Sequence, residues 1–177
     1  MGGEIVDFYA KGETLFSINH TLKRKNMASF LDIYNRLQKL PLGGSLFNKG
    51  IGFVAPFFGK IHPNVVKLEP SLCVVQIKDR WGIRNHMGSI NAGAMCTLAE
   101  LTGGMALDAT LSSNLRWIPK GMSVRYLARA KGRLEAVCAF DASLLKEGDV
   151  VLPISVKNLK NREVFSAEIT FYISQKK

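Results

Sequence analysis

The stretch Asn85-His86-Met87-Gly88-Ser89-Ile90-Asn91-Ala92-Gly93, continuing as Ala94-Met95-Cys96-Thr97-Leu98-Ala99-Glu100-Leu101-Thr102-Gly103-Gly104-Met105-Ala106-Leu107, decides the reading of this chain. From Ile90 to about Asp108 there is no proline, and Met95, Leu98, Leu101, Met105 and Leu107 spread around the circumference of a helix. A helix that is apolar nearly all round is a buried one. Glycine inside a helix costs about 1 kcal/mol relative to alanine, so the Gly103-Gly104 pair implies a close approach of backbone or ligand. Asn91 or Ser89 is placed to cap the helix. The amides near Ala92 and Gly93 are then open to an oxyanion, with no large side chain in the way. One acid, Glu100, sits among Thr97, Ala99, Leu101 and Gly104. A lone helical glutamate ordinarily lies on an exposed edge or beside an arginine. Desolvated in these surroundings instead, it is a candidate base or nucleophile.

Upstream, the basic loop Arg80-Trp81-Gly82-Ile83-Arg84 follows two expected strands, about Asn64–Leu68 and Leu72–Asp79, joined by the Pro70-Ser71 turn. Before them, Phe30, Ile33, Tyr34, Leu37 and Leu40 follow amphipathic spacing, so a helix capped by Asn26 or Ser29 should run to about Leu40 and stop at Pro41. Residues 42–58 leave room for one more short helix, and 1–25 read as an irregular arm. Downstream the period changes from helical to alternating. Met122, Val124 and Tyr126 oppose Ser123, Arg125 and Leu127 within an expected strand Lys120–Ala130. Further strands are expected at Arg133–Phe140, after the Lys146–Asp149 turn, and at Val164–Ser174. Short turns between them imply antiparallel neighbours. The expectation is an α+β fold in which about six antiparallel strands wrap one long central helix. Residues 1–60 form an N-terminal helical extension and 61–177 the main domain.

The chain has 177 residues, 47% of them apolar, enough to bury a core. Its three cysteines, Cys73, Cys96 and Cys138, show no paired spacing and read as buried reduced thiols, which points to the cytoplasm. Neither they nor the scattered His20, His62 and His86 are spaced for a metal, so no metal site is expected. Residues 41–58 are too short and too interrupted by Asn48 and Lys49 to span a bilayer. A net charge of +10 suits an anionic partner. No nucleic-acid motif accompanies it, and the phosphates of a nucleotide-like cofactor or an acidic carrier protein suit the charge as well as DNA or RNA does, so charge alone decides nothing.

Asn85-x-x-Gly88-x-x-Asn91-Ala92-Gly93, followed by Glu100, resembles the pattern Asn-x-x-Gly-x-x-His-Gly-Gly with a carboxylate seven residues later. That pattern marks hotdog-fold acyl-CoA thioesterases of the phenylacetate-pathway and 4-hydroxybenzoyl-CoA types. The wider stretch Asn91 to Leu107 is similar to uncharacterised bacterial hotdog proteins related to them. The resemblance covers roughly Pro63–Ser174. It implies hydrolysis of acyl-CoA or acyl-carrier thioesters without a cofactor, coenzyme A being part of the substrate. Glu100 would attack the thioester or activate water, the Ala92 N–H would polarise the carbonyl, and Asn85 would orient thioester or water. Gly88 and Gly93 would border the substrate. The chain departs from the pattern at Asn91, which cannot shuttle protons as histidine does, and at Ala92, which narrows the approach. A non-catalytic acyl-CoA or lipid binder on the same fold is the alternative.

Ala92 and Glu100 are eight residues apart, about 12 Å along one helix, whereas reacting atoms approach within about 3.5 Å. If both take part, they come from different subunits, which implies a homodimer or a homotetramer of two such dimers. Arg125 and Arg129 are candidates for the coenzyme A phosphates, against a solvated sheet face. Thr97, one turn before Glu100, is placed either to hydrogen-bond it or to back-bond the helix.

Overall fold

The computed structural model describes residues 29–176. The irregular arm, His20 and the cap considered at Asn26 lie outside them. Helix α1 (Phe30–Gln38) is capped by Ser29, whose hydroxyl accepts from the Asp32 N–H at 3.1 Å while the Asp32 carboxylate accepts from the Ser29 N–H at 3.2 Å. The glycine-rich run holds two helices rather than one, α2 (Gly43–Val54) and α3 (Pro56–Gly59). A Cβ at Gly43 would stand 1.6 Å from the Leu37 carbonyl oxygen, so only glycine closes the corner between α1 and α2. Tyr34 and Phe47 meet edge to face, with ring centres 5.1 Å apart. The Tyr34 hydroxyl donates to the Val66 carbonyl at 3.2 Å, and the Asn48 side-chain oxygen accepts from the Val65 N–H at 2.9 Å. These contacts tie the helices to the first strand.

The six strands are β1 (Asn64–Glu69), β2 (Leu72–Ile77), β3 (Leu115–Tyr126), β4 (Leu134–Ala139), β5 (Gly148–Asn158) and β6 (Glu163–Gln175). They form one antiparallel sheet in the order β1-β2-β4-β5-β6-β3. Helix α4 (Ala92–Asp108) lies across β2, β4, β5 and β6. The expected wrapped-helix architecture is therefore present.

Two details differ from the sequence reading. Strand β3 runs from Leu115 to Tyr126 instead of Lys120 to Ala130. Pro119 masks its first half, yet it sits beside a bulge on an edge strand, where the missing N–H is tolerated. At the other end Leu127 and Ala128 both donate to the Val164 carbonyl, at 2.9 and 3.2 Å, and the regular ladder stops. The second difference is that the consecutive strands β3 and β4 are not neighbours. Leu134, Ala136 and Cys138 of β4 are completely buried and need strands on both sides, which β2 and β5 supply. The connection 127–133 carries the chain from the sheet edge to its middle.

The adjacent glycines of α4 admit side chains rather than a ligand. A Cβ at Gly103 would lie 3.3 Å from the Phe171 ring, and one at Gly104 only 2.8 Å from the Trp117 ring. Trp117 is held there by an Nε1–H bond of 2.8 Å to the Asp108 carboxylate and by an edge contact with Phe171, centres 5.1 Å apart. Alanine in place of helical glycine would ordinarily stabilise by about 1 kcal/mol, but overpacking costs about 1–3 kcal/mol. Gly104→Ala is expected to lower the urea midpoint, by the equivalent of about 1 kcal/mol. A midpoint at or above that of the parent would mean that Trp117 is not fixed in this notch.

Candidate active site

The sheet closes around the C-terminal half of α4 and leaves the first turns open. Every residue from Leu101 to Leu107 is buried, whereas Ala92 and Gly93 are exposed and Cys96 and Glu100 half-buried. Burial on every face, expected from composition, therefore holds only from Leu101 to Leu107; before it Met95, Thr97, Leu98 and Ala99 are buried and the other face is open. Gly93, Cys96 and Glu100 follow the i, i+3, i+7 spacing that puts them on one face. Cys96 accordingly differs from Cys73 and Cys138, which are fully buried as expected. Burial pushes the Cys138 thiol up to about 12 and raises Cys73 further, with Cys138 adding to the effect there.

Of the two possible caps, Asn91 is the one used. Its backbone is extended, and its side-chain oxygen accepts from the Gly93 N–H at 2.7 Å. That bond takes the Gly93 amide. The Ala92 N–H has no hydrogen-bond partner among the described residues and stands at the positive end of the helix dipole.

The loop before the cap is built on Asn85. Its side-chain oxygen accepts from the Met87 N–H at 3.0 Å, the Ser89 N–H at 3.2 Å and the Ser89 hydroxyl at 3.1 Å. Only the Asn85 amide nitrogen is left to meet a substrate. Gly88 has φ +67° with open space where a Cβ would stand, so the left-handed turn explains it. The Asn91 N–H donates to the Ile83 carbonyl at 2.8 Å and the Ile90 N–H to Ala130 at 2.9 Å, which fixes the helix start. Asp79 secures the same region, accepting from Arg84 at 2.6 Å and from the Gly132 N–H at 3.0 Å. The Arg84 bond holds the Asp79 carboxyl below its usual range.

Glu100 has no hydrogen bond or ion pair among the described residues. Thr97, the group nearest in sequence that might bind it, is buried and donates to the Gly93 carbonyl at 2.8 Å. It back-bonds the helix. The Arg129 guanidinium donates to the Met87 carbonyl and so braces the Asn85 loop. Arg125 is exposed on β3, with its backbone paired to Ser166 of β6. The structure thus gathers Asn85, Gly88, Asn91, Ala92 and Gly93 at the start of α4, with Arg129 touching the rim, and places Thr97 and Glu100 more than one and more than two turns further along the helix. Tyr126, which the alternation placed on one strand face with Met122 and Val124, lies beside this site. Its hydroxyl is 3.4 Å from the Cys96 sulfur, and that bond, with some burial, raises the phenol pKa. No sequence spacing links residues 96 and 126; only the alternation of β3 hinted at the inward direction.

Among the described residues no group of three His, Cys, Asp or Glu side chains is arranged to hold a metal ion. No helix among them is long and apolar enough to cross a membrane.

Residues 43–173 match the family described as "Domain of unknown function (DUF4442)". The chain belongs to this family. The crystal structure described as genomics APC5556 is 35% identical to it, covering 83% of this chain and 99% of its own, with a TM-score of 0.75. PA5026 from Pseudomonas aeruginosa, described as a protein of unknown function and probable thioesterase, is 24% identical, covering 77% and 97%, with a TM-score of 0.67. The thioesterase HI1161 from Haemophilus influenzae is 13% identical, covering 75% and 90%, with a TM-score of 0.65. No curated protein sequence matches the chain. Together with the strand order and the wrapped helix, these likenesses make the fold of this DUF4442 member a hotdog fold.

The different settings of the three thiols can be read directly. An aromatic disulfide reagent near pH 8 is expected to label Cys96 alone in the native protein and all three thiols after denaturation. Rapid native labelling of Cys138 would contradict the burial described.

Proposed function

We propose that this protein hydrolyses acyl-CoA or acyl-carrier thioesters. The observation that carries the reading is the unpartnered, half-buried Glu100 carboxylate on the open face of an otherwise apolar helix. An acid on an open face with no partner can take a proton from, or attack, a group that reaches it. The thioesterase names of PA5026 and HI1161, which share the fold, agree with it.

In the proposed reaction Glu100 takes a proton from water as the water oxygen bonds to the thioester carbon. The carbonyl oxygen becomes an oxyanion, which the Ala92 N–H and the helix dipole stabilise. When the oxyanion reforms the carbonyl, the carbon–sulfur bond breaks. The thiolate leaves with the proton returned to it, giving a free thiol and a carboxylic acid. Direct attack by Glu100, giving a mixed anhydride that water then opens, leads to the same products. The three free thiols fit a reducing, cytoplasmic setting.

Ala92 and Glu100 lie in one continuous helix, about 12 Å apart along its axis, so the two roles fall to different copies. Strand β3 supports this. It is a twelve-residue edge strand, long for an edge, with Ile118 and Tyr126 exposed. Antiparallel pairing of two such edges about a two-fold axis sets the open faces of two α4 helices near each other. The engagement of Asn85 and Asn91 in loop and cap bonds favours the second reading, an acyl-CoA binder without turnover.

The two readings separate on one experiment. Glu100→Ala removes the carboxylate. Ala92→Pro removes the N–H at a helix position that accepts proline, after an Asn91 already at ψ 144°. Each variant alone is expected to lose at least about a hundredfold in acyl-CoA turnover. Co-refolded in equal amounts, they should regain about a quarter of the parent rate, because mixed dimers hold one intact site. No turnover by the parent across a panel of chain lengths, with binding retained, would select the binder. Turnover that survives Glu100→Ala would discard the site.

A further inference from the structure

At the end of the sheet where α4 begins, the chain forms an open depression of about 470 Å³ lined by His62, Asn64, Gln76, Ile77, Lys78, Arg80 and Arg133. That volume lies within the range of small-molecule sites, roughly 300–1,000 Å³. Three of the lining residues are permanent or near-permanent cations, and none is a carboxylate. Two acids adjoin it, Asp79, which pairs with Arg84 and the Gly132 N–H, and Glu135, which accepts from the amide of the lining residue Gln76 at 2.8 Å, and neither is bonded to Lys78, Arg80 or Arg133. Like charges gathered without a counter-charge repel one another, and an anionic ligand relieves that repulsion.

Arg80 adds an observation of its own. One end of its guanidinium donates to the Lys60 carbonyl, but its Nε–H is closed off from solvent and meets no acceptor among the described residues. A buried donor left unmet marks a place where an ion or ligand is missing from the account. Asn64, whose side-chain oxygen accepts from Asn48, adds an amide donor to the same wall, and His62 projects from a left-handed backbone at φ 48°.

The depression is also joined to the start of α4. Arg80 opens the turn whose Ile83 carbonyl receives the Asn91 N–H, and Arg133 follows the Ala130 carbonyl that receives the Ile90 N–H, by three residues in each case. We propose that this depression binds the phosphate esters of a pantetheine-bearing ligand, with Lys78, Arg80 and Arg133 meeting the phosphate oxygens. Identifying the ligand as pantetheine-bearing rests on the thioesterase reading; the phosphate chemistry does not. Free coenzyme A and the prosthetic arm of an acyl carrier both offer such phosphates.

Calorimetric titration of the full chain with adenosine 3′,5′-bisphosphate and, separately, with 4′-phosphopantetheine tests the proposal. Binding of one or both is expected, weakening as salt is raised. Lys78→Ala and Arg133→Ala should each raise Kd about tenfold, the size of one charge-assisted contact. Arg80→Ala should do the same, and the other two variants keep the test valid if losing the Lys60 contact unsettles the fold. Lys146→Ala, in the loop between β4 and β5 at the opposite end of β4, should leave Kd unchanged. Preference for the bisphosphate identifies a nucleotide source, and preference for phosphopantetheine a carrier. Binding by neither probe, or binding that all three cation variants leave unaltered, overturns the proposal. Because the readout is binding, loss of the hydrolase reading alone would leave the result intact.

Discussion

The indole of Trp117 seated against Gly104 is the contact on which the arrangement of the whole molecule turns. It brings the edge strand β3 over the C-terminal half of α4, where Phe171 and Ile154 already press on Gly103. A Cβ at Gly104 would collide with the indole, and one at Gly103 would need Phe171 and Ile154 to give way by a few tenths of an ångström. Around these glycines the helix is buried on every side, whereas nearer its start one face, with Gly93, Cys96 and Glu100, is not. What is left uncovered is a helix start with a free amide, a short polar loop and a single acid. The open face follows from packing elsewhere.

That uncovered half carries a division of labour among its polar groups. Asn85, Asn91, Thr97 and Arg129 are each engaged with backbone or neighbouring side chains and hold the geometry. Ala92, through its N–H, and Glu100, through its carboxylate, have no such engagement among the described residues. Groups whose hydrogen-bonding capacity is already met position a site, and groups whose capacity is unmet are free to react with something arriving. In the proposed reaction these two unmet groups bear the charge changes. Helical rise keeps them too far apart to serve one carbonyl from one chain. A shared crevice between two copies resolves the distance, and the exposed β3 edge offers the surface for it.

Much of the fold was legible because it rests on periodicity. The alternation of β4, β5 and β6 and the amphipathic spacing of α1 each placed an element within a few residues. Strand β3 was read four to five residues too far along the chain because proline suggests a strand end, and its position at the sheet edge beside a bulge depends on partners far along the chain. The pairing of β2 with β4 was hidden for the same reason. At the site, Glu100 and the Asn91 cap stood out as a lone acid and a helix-capping residue. The fate of Thr97 and Arg129 did not, since several acceptors were within reach of each and only the packed structure chooses among them. The cations of the Lys78–Arg80 segment and Arg133 are more than fifty positions apart, and antiparallel pairing of β2 with β4 brings them together.

The central claim is that a working site needs two chains. Sedimentation equilibrium of the full-length protein at micromolar concentration tests it most directly, because it requires neither substrate nor a substituted residue. A mass of twice the 19.6 kDa chain, or of a multiple of that dimer, is the expected result. A single species at the mass of one chain across that range would contradict the shared site and, with it, the pairing of Ala92 with Glu100 in one reaction.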